Sequence, residues 1–241
     1  MKIALLGYGK MGKEIEKIAH KRGHEIVIII DKDNQDDIKS ETFLSAQMAI
    51  EFTTPETAFD NISTCLLSSV PVVSGTTGWL SRYDEIKALC EKQQCAFFYA
   101  SNYSLGVNIF FHINRELARI MEHYADYNVS MEEIHHIQKK DSPSGTAISL
   151  ANDIISLISR KLLWINESNS KDDEIAINSI REGTVPGTHT VVYESEADII
   201  SIEHRAKNRK GLALGVIIAA EFLINKKGIY TMDDVLGISN K

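Results

Sequence analysis

The first hundred residues alternate short apolar runs with amphipathic segments, and this alternation constrains the fold more than any other feature. The run EIVIII at 25–30 has the composition of a strand buried on both faces of a parallel sheet. Further strand-like runs at 48–53 and 95–100 are separated by segments with apolar residues at helical spacing, such as 83–93. Strands and helices in regular succession, joined by short loops, predict a doubly wound α/β domain.

The pattern changes beyond residue 105. Long helices are predicted at 107–123 and 146–160, and strands at 127–137, 174–181, 188–194 and 197–204. This order predicts a second domain of α+β type over 106–211, with a mixed or antiparallel sheet and helices on one side. We expect the last helix and tail, 212–241, to pack back on the first domain, 1–105.

The bulk composition excludes several classes of function. A net charge of −7 argues against nucleic acid as a partner, because phosphate binding requires a basic surface. The three cysteines form no paired motif, as expected of reduced thiols. The apolar run at the N-terminus is too short for a signal peptide, and Glu221 interrupts the longest apolar stretch. These features predict a soluble, cytoplasmic protein that binds neither nucleic acid nor membrane.

The first motif with a chemical meaning is GYGKMG at 7–12, between the first predicted strand and helix. Gly7 permits a tight turn, Gly9 lets a pyrophosphate approach the backbone, and Gly12 allows close helix packing. Asp31 ends the second predicted strand, where a carboxylate can accept from a ribose hydroxyl. Lys32 beside it could offset the repulsion of a 2′-phosphate, so the choice between NADH and NADPH stays open.

Two further segments follow predicted strands of the same sheet. SGTTGW at 74–79 offers small hydroxyl residues between glycines, and Asn102 with Tyr103 follows the strand that ends at Ala100. Ligands of doubly wound sheets bind outside the carboxyl ends of the strands. Both segments are either cofactor contacts or ordinary strand-to-helix turns.

The densest cluster of chemistry is EEIHHIQKKDSPSGTAISL at 132–150. If residues 133–139 are extended, His135 and Lys139 share one face and His136 points the other way. Two proton donors on one face suit a reaction that must supply a proton. Ser144 and Thr146 open a helix whose N-terminus can hold a carboxylate. No metal site is indicated. A basic run at 204–210 is either a surface run or a cation source for a dianionic substrate.

These residues resemble one known family. EIHHIQKKDSPSGTA is similar to the signature of the 4-hydroxy-tetrahydrodipicolinate reductases, also called dihydrodipicolinate reductases. GYGKMG, EFTTPE, SGTTGW, SNYSLGVN, REG…PGTHTV and EHRAKNRKGLALG are similar to further segments of that family. The resemblance implies a Rossmann-type domain and reduction of the substrate to tetrahydrodipicolinate with NADH or NADPH, in lysine and diaminopimelate biosynthesis. It also implies a homotetramer formed through the sheet of the second domain.

The resemblance also implies roles for individual positions. His135 and Lys139 match the proton donors of the family. Positions that match substrate contacts are His136, Ser144, Gly145 and Thr146. Positions that match cofactor contacts are Gly7, Tyr8, Gly9, Lys10, Met11, Gly12, Asp31, Lys32, Gly75, Thr76, Thr77, Ala100, Ser101, Asn102 and Tyr103. The glycine loop is one residue shorter than the common family form, and Thr54 stands where many relatives carry arginine.

Two other functions fit part of the sequence. Another Rossmann amino-acid dehydrogenase, for example one acting on a diamino acid, would share GYGKMG but has no need of HHxxK followed by PSGT. A non-catalytic NAD(H)-sensing protein would lack paired proton donors and would usually carry a DNA-binding segment, for which no basic helix-turn-helix candidate is present.

Overall fold

The computed structural model of the chain describes residues 1–208 and 210–238. The chain divides into two compact units, and each has its own sheet and core. The first unit contains Met1–Leu105 and the described residues from Lys210 onwards, and the second runs from Gly106 to Asn208. Strands and helices are numbered below in chain order.

The first unit is built on a six-stranded parallel sheet with the strand order β11-β5-β4-β3-β1-β2. Its strands are β1 (Lys2–Leu6), β2 (Glu25–Ile30), β3 (Met48–Glu51), β4 (Val72–Ser74), β5 (Ala96–Tyr99) and β11 (Gly228–Tyr230). Its helices are α1 (Lys10–Lys21), α2 (Glu41–Leu44), α3 (Pro55–Leu67), α4 (Tyr83–Gln93), α7 (Lys210–Leu223) and α8 (Met232–Leu236), with 3-10 turns at Gln35–Lys39 and Leu80–Arg82.

Helices cover both faces of this sheet, so its central strands are apolar throughout. On one face α3 and α4 bury Ile62 and Ile86 against the sheet, and on the other α1 and α7 bury Ile15 and Ile217. Burying whole aliphatic side chains in this way contributes about 1.5–3 kcal/mol each. The doubly wound α/β fold expected from the sequence is confirmed.

All three cysteines lie in this first unit and are buried there as free thiols. Burial raises the pKa of each thiol, and the pKa of Cys90 rises to about 11. Cys65 and Cys90 are fully buried and Cys95 is 6 % exposed. They therefore pack as small hydrophobic side chains.

The second unit is built on a five-stranded mixed sheet with the strand order β10-β9-β6-β8-β7. The pairs β6–β9 and β9–β10 are antiparallel, whereas β6–β8 and β7–β8 are parallel. Its strands are β6 (Asn128–His135), β7 (Leu163–Ile165), β8 (Glu174–Arg181), β9 (Thr188–Glu194) and β10 (Ile199–Arg205). Its helices are α5 (Leu105–Met121) and α6 (Gly145–Leu157).

The core of the second unit lies between its sheet and these two helices. Ala118 from α5 and Ile154 from α6 pack with Val129, Ile177 and Val191 of the sheet. The mixed sheet expected from the sequence is confirmed. No helix in residues 1–208 and 210–238 is long and apolar enough to cross a membrane.

Candidate active site

The glycine loop between β1 and α1 is shaped by contacts that exclude a side chain at two of its glycines. Gly7 has φ +90°, and a Cβ added there would lie 2.0 Å from the carbonyl oxygen of Phe52. A Cβ added at Gly12 would lie 2.3 Å from the carbonyl oxygen of Gly7. At Gly9 an added Cβ would meet no atom within 4 Å, and no side chain caps the helix that starts there. Open space in front of uncapped helix N–H groups suits a phosphate.

A cleft of about 290 Å³ lies beside the loop and contains the end of β2. Asp31 is exposed in it, and one oxygen of its carboxylate accepts from the backbone N–H of Lys32 at 2.9 Å. A carboxylate in this place can also accept from a ribose hydroxyl. The cleft is lined by Leu6, Gly7, Tyr8, Gly9, Ile30, Asp31, Lys32, Gln35, Phe52, Thr53, Thr54, Thr57 and Asn61.

A second cleft, of about 460 Å³, also borders the loop. It brings Lys10 and Met11 together with Gly75, Thr76 and Thr77, which follow β4. The approach of these two loops depends on Gly75, because a Cβ there would lie 2.2 Å from the ring of Phe52.

A buried carboxylate that the sequence reasoning did not single out fixes the two loops that follow β3 and β4. Glu51 is 0 % exposed, and its carboxylate accepts from Ser74 Oγ at 2.6 Å, Thr76 Oγ1 at 2.7 Å and the backbone N–H of Thr53 at 2.9 Å. The Thr53 hydroxyl also donates to it. These bonds give the buried carboxyl oxygens of Glu51 the partners that buried polar groups require. The available signal was an acidic residue at the end of the apolar strand MAIE.

The four residues after β5 divide into exposed and buried positions. Ser101 is exposed, and Ala100 and Asn102 are half-buried. Tyr103 is 2 % exposed, and its hydroxyl donates to the carbonyl oxygen of Ser74 at 2.6 Å. Burial raises the pKa of Tyr103 well above its usual value. The phenol therefore belongs to the core, while the other three positions stand at the sheet edge where the carboxyl ends of β1, β2 and β4 also lie.

In the second unit, His135 ends β6 with its ring turned inward. Its Nδ1 lies 3.2 Å from the carbonyl oxygen of Pro186, and its Nε2 lies 3.3 Å from Nε2 of His189. The ring fills space that a side chain at position 187 would occupy, since a Cβ on Gly187 would lie 2.7 Å from it. Burial lowers the pKa of His135, while the carboxylate of Glu133 raises it. The carbonyl of Pro186 requires a proton on Nδ1.

Residues 133–135 are extended as expected, but the expectation is wrong for residues 136–139, because β6 ends at His135. The register of β6 with its partner strand β8 ends at His135 and Arg181, and the backbone bond from the N–H of Ile137 to the carbonyl oxygen of Gly183, at 3.3 Å, lies beyond both strands. The chain turns instead, with the backbone N–H of Lys139 donating to the carbonyl oxygen of His136 at 3.0 Å. Lys139 Nζ donates to the carboxylate of Asp141 at 2.7 and 2.8 Å. The charge of Lys139 lowers the pKa of His135. The two candidate proton donors do not share a strand face, because Lys139 lies beyond the end of β6.

The N-terminus of α6 has one buried and two accessible residues. Ser144 is the N-cap and accepts from the backbone N–H of Ala147 at 3.2 Å, and it is only 2 % exposed. Its Oγ also lies 3.0 Å from His189 Nε2. Gly145 is exposed and Thr146 half-buried. A carboxylate ligand would therefore meet the helix at Gly145 and Thr146, with Ser144 supporting them from inside.

Glu133 connects these parts. Its side chain is 0 % exposed, and its two carboxylate oxygens accept from the backbone N–H of Ser144 at 3.1 and 3.0 Å. Arg181 donates to the same carboxylate at 2.9 Å. Burial alone would raise the pKa of Glu133, but the bonds from Ser144 and Arg181 outweigh it and lower the pKa overall.

Within residues 1–208 and 210–238, one set of side chains has the spacing of a metal site. The carboxylate of Glu133 and the rings of His135 and His189 have ligand atoms within 4.8 Å of one another. These atoms already bond protein groups, and the guanidinium of Arg181 on the same carboxylate opposes a second cation. The set fits a hydrogen-bonded cluster better than a metal centre.

Three residues of this cluster were missed from the sequence: Glu133, Arg181 and His189. They come from three strands, so no local spacing brings them together. Two signals were available. Period-two alternation places Glu133 on the face of β6 that carries His135, and all three residues lie in the segments EIHHIQKKDSPSGTA and REG…PGTHTV that resemble the family. Of the basic run 204–210, His204 and Arg205 end β10, and Arg209 lies outside the described residues.

The first unit defines the class of the protein. A doubly wound parallel sheet with a glycine loop after β1 and a carboxylate after β2 is the nicotinamide-dinucleotide-binding fold of Rossmann-type oxidoreductases. A second unit with clustered histidine, lysine and helix N-terminus is consistent with a substrate domain.

The comparisons with known proteins identify the family. Residues 1–103 match the family described as dihydrodipicolinate reductase, N-terminus, and residues 106–236 match dihydrodipicolinate reductase, C-terminus. The 4-hydroxy-tetrahydrodipicolinate reductase of Christiangramia forsetii is 52 % identical over 98 % of both chains, and that of Thermosipho africanus is 34 % identical over 98 % of both. The chain belongs to the dihydrodipicolinate reductase family, as the sequence resemblance predicted.

A solved structure has the same fold. The dipicolinate-bound dihydrodipicolinate reductase of Paenisporosarcina sp. TG-14 superposes with a TM-score of 0.76 at 22 % identity, covering 96 % of this chain and 97 % of its own. Family membership also decides between the functions considered from the sequence. It excludes both alternatives, a diamino-acid dehydrogenase and a non-catalytic NAD(H) sensor.

Proposed function

We propose that the chain catalyses the NADH- or NADPH-dependent reduction of 4-hydroxy-tetrahydrodipicolinate to tetrahydrodipicolinate, in lysine and diaminopimelate biosynthesis. Its family consists of NAD(P)H-dependent oxidoreductases, and its relatives carry the name of this reaction. The Paenisporosarcina relative binds dipicolinate, a small dicarboxylate. The observation that carries the proposal is the position of His135, beside Glu133 and the N-terminus of α6.

The cofactor fits the first unit. The residues that would hold it are Gly7, Tyr8, Gly9, Lys10, Met11, Gly12, Asp31, Lys32, Gly75, Thr76, Thr77, Ala100, Ser101, Asn102 and Tyr103, the last through its backbone. When bound, the reduced nicotinamide supplies the hydride. The open space at Gly9 and the exposed carboxylate of Asp31 support this assignment.

The substrate fits the second unit. Gly145 and Thr146 hold one carboxylate at the N-terminus of α6, with Ser144 behind them, and His136 contacts the substrate. The 4-hydroxyl group first leaves as water, which makes the ring carbon that carried it unsaturated and conjugated with the imine. Hydride adds to that carbon, and the neighbouring carbon then takes a proton. His135 and Lys139 are the candidate donors. Positioned general acids of this kind typically contribute about 10²–10⁴-fold in rate.

Three assignments at larger scale complete the proposal. Residues 1–105 with 212–241 form the dinucleotide-binding domain, and 106–211 form the substrate-binding and oligomerisation domain. The protein is a cytoplasmic homotetramer assembled through the sheet of that second domain. The exposed isoleucines of the edge strand β10 support this, since Ile199 is 61 % and Ile200 37 % exposed.

The test is NADH and NADPH oxidation with substrate made in situ from pyruvate and aspartate semialdehyde by the preceding synthase. We expect turnover with at least one cofactor, and a loss of about 10²–10⁴-fold in kcat for His135→Ala and for Lys139→Ala. Lys140→Ala, an exposed neighbour of the same charge, is the control. Wild-type turnover in the Lys139 variant would remove that residue from proton delivery, and inactivity of the wild type would refute the proposed reaction.

A further inference from the structure

Glu133 is an unusual residue to find inside a small domain. Its carboxylate is fully buried, and it lies two positions before His135 on the same face of β6. Charged carboxylates are rarely fully buried unless they are paired and hydrogen-bonded. The pairing here reaches two other elements, the N-cap of α6 through Ser144 and the end of β8 through Arg181.

The contact with Ser144 sets the position of the helix. The N-cap residue donates its backbone N–H to both oxygens of Glu133, at 3.1 and 3.0 Å, while its hydroxyl caps the backbone N–H of Ala147. Gly145 and Thr146 follow directly. A displacement of the Glu133 carboxylate would therefore move the two residues that face a substrate carboxylate.

The contact with His135 is electrostatic. Oε2 of Glu133 lies 3.6 Å from Nε2 of His135. The other charged groups that act on His135 are cations, Lys139 after β6 and Arg181 on β8, and both lower its pKa, whereas Glu133 raises it. His189 on β9 faces the same ring at 3.3 Å. Glu133 therefore supplies the negative charge that favours a protonated imidazole.

We propose that Glu133 is a positioning residue that serves both partners of the reaction: its length fixes the carboxylate-binding end of α6, and its charge keeps His135 available as a proton donor. This inference rests on the function proposed above. It assigns a role to a buried side chain that need not touch the substrate.

Two substitutions separate the two roles. Glu133→Gln keeps an oxygen for the N–H of Ser144 but removes the charge, so we expect a near-normal KM. In the wild type, kcat should fall with rising pH as His135 loses its proton. In Glu133→Gln this falling limb of the kcat–pH profile should lie at a pH lower by about one unit or more. Glu133→Asp keeps the charge but withdraws the carboxylate by about 1.5 Å. The limb should then stay in place, while KM rises about tenfold or more.

The matched control is Glu132→Gln. Glu132 is the preceding residue on β6, points to the opposite face and accepts from Asn178 Nδ2 at 3.1 Å. Neither KM nor the pH profile should change. If Glu133→Gln does not fold, Arg181→Gln gives the reverse test, because losing a cation near His135 should move the limb to higher pH.

Binding of dipicolinate, measured by calorimetry, separates this inference from the proposed reaction. Suppose that the wild type is inactive but that Glu133→Asp binds dipicolinate about tenfold more weakly than the wild type does. This result would refute the proposed reaction and support the role of Glu133 in positioning the N-terminus of α6. Two results together would overturn the inference. The falling limb of the kcat–pH profile would be unmoved in Glu133→Gln, and KM and dipicolinate affinity would be unchanged in Glu133→Asp. The inference would also be overturned if both variants lost the same amount of activity and a lowered melting temperature explained that loss.

Discussion

At the scale of single residues, the proposed role of Asp31 in holding the cofactor can be tested directly. Its exposed carboxylate lies in the cleft beside the glycine loop, at the end of β2. Asp31→Ala should weaken NADH binding by about 1–3 kcal/mol, because a charge-assisted hydrogen bond to a ribose hydroxyl is lost. NADPH binding should hold or improve. Fluorescence titration of both cofactors checks this, with Asp33→Ala, an exposed acid of the same loop, as the control. Unchanged NADH affinity in Asp31→Ala would exclude it from the ribose site.

A second residue-scale prediction concerns acid stability. Burial and the neighbouring His135 lower the pKa of His189 from 6.5 to about 4. Because the folded pKa is below the unfolded one, the stability from keeping this ring neutral is fully present above about pH 6.5. It is lost as the pH falls toward about 4, to a total of about 3 kcal/mol.

Urea unfolding at several pH values tests this. His189→Gln should flatten the loss of unfolding free energy between pH 6.5 and 4, whereas His123→Gln, at an exposed histidine, should leave it as in the wild type. An equally steep acid loss in His189→Gln would assign the effect to other groups.

At the scale of elements, the packing of α7 depends on one glycine. A Cβ added at Gly215 would lie 1.7 Å from the carbonyl oxygen of Tyr103, whereas one at Gly211 would come no closer than 3.9 Å to Ser104 Oγ. Gly215→Ala should lower the unfolding free energy by about 1–3 kcal/mol, the usual cost of overpacking.

Gly211→Ala is the matched comparison in the same helix. It should be neutral or stabilising by up to about 1 kcal/mol, since alanine is the better helix former. Thermal melting of both variants measures the difference. Equal melting temperatures would mean that α7 can shift without cost.

Elements also show how far the sequence could be interpreted. The bounds of β2, α4, β8 and β9 follow from apolar periodicity, because each is a local pattern. The end of β6 does not, because it depends on where β8 stops pairing with it. β7 and β11 have three residues each and were missed, whereas β4, equally short, was predicted from the run PVVSG at 71–75. The glycine loop was predictable for the same local reason, whereas the contacts of Glu133 cross three strands.

At the scale of the whole molecule, the proposed tetramer can be tested on the edge strand β10. Light scattering should give the mass of four chains, and Ile199→Glu should lower it, because a charge would enter the contact between subunits. Leu67→Glu, at a leucine of equal 61 % exposure in the first unit, is the control. A wild-type monomer would refute the assembly, and an intact tetramer in Ile199→Glu would place its contact elsewhere.

The distribution of the cysteines allows local opening of the first unit to be measured through its own thiols. Every thiol lies in the nucleotide-binding unit and has a raised pKa, and the thiolate is the form that reacts with alkylating reagents. A thiol reagent therefore modifies this chain only when the nucleotide-binding unit opens. It does not detect movements of the second unit. Labelling rates with and without NADH measure how far the cofactor suppresses local opening, with no engineered probe.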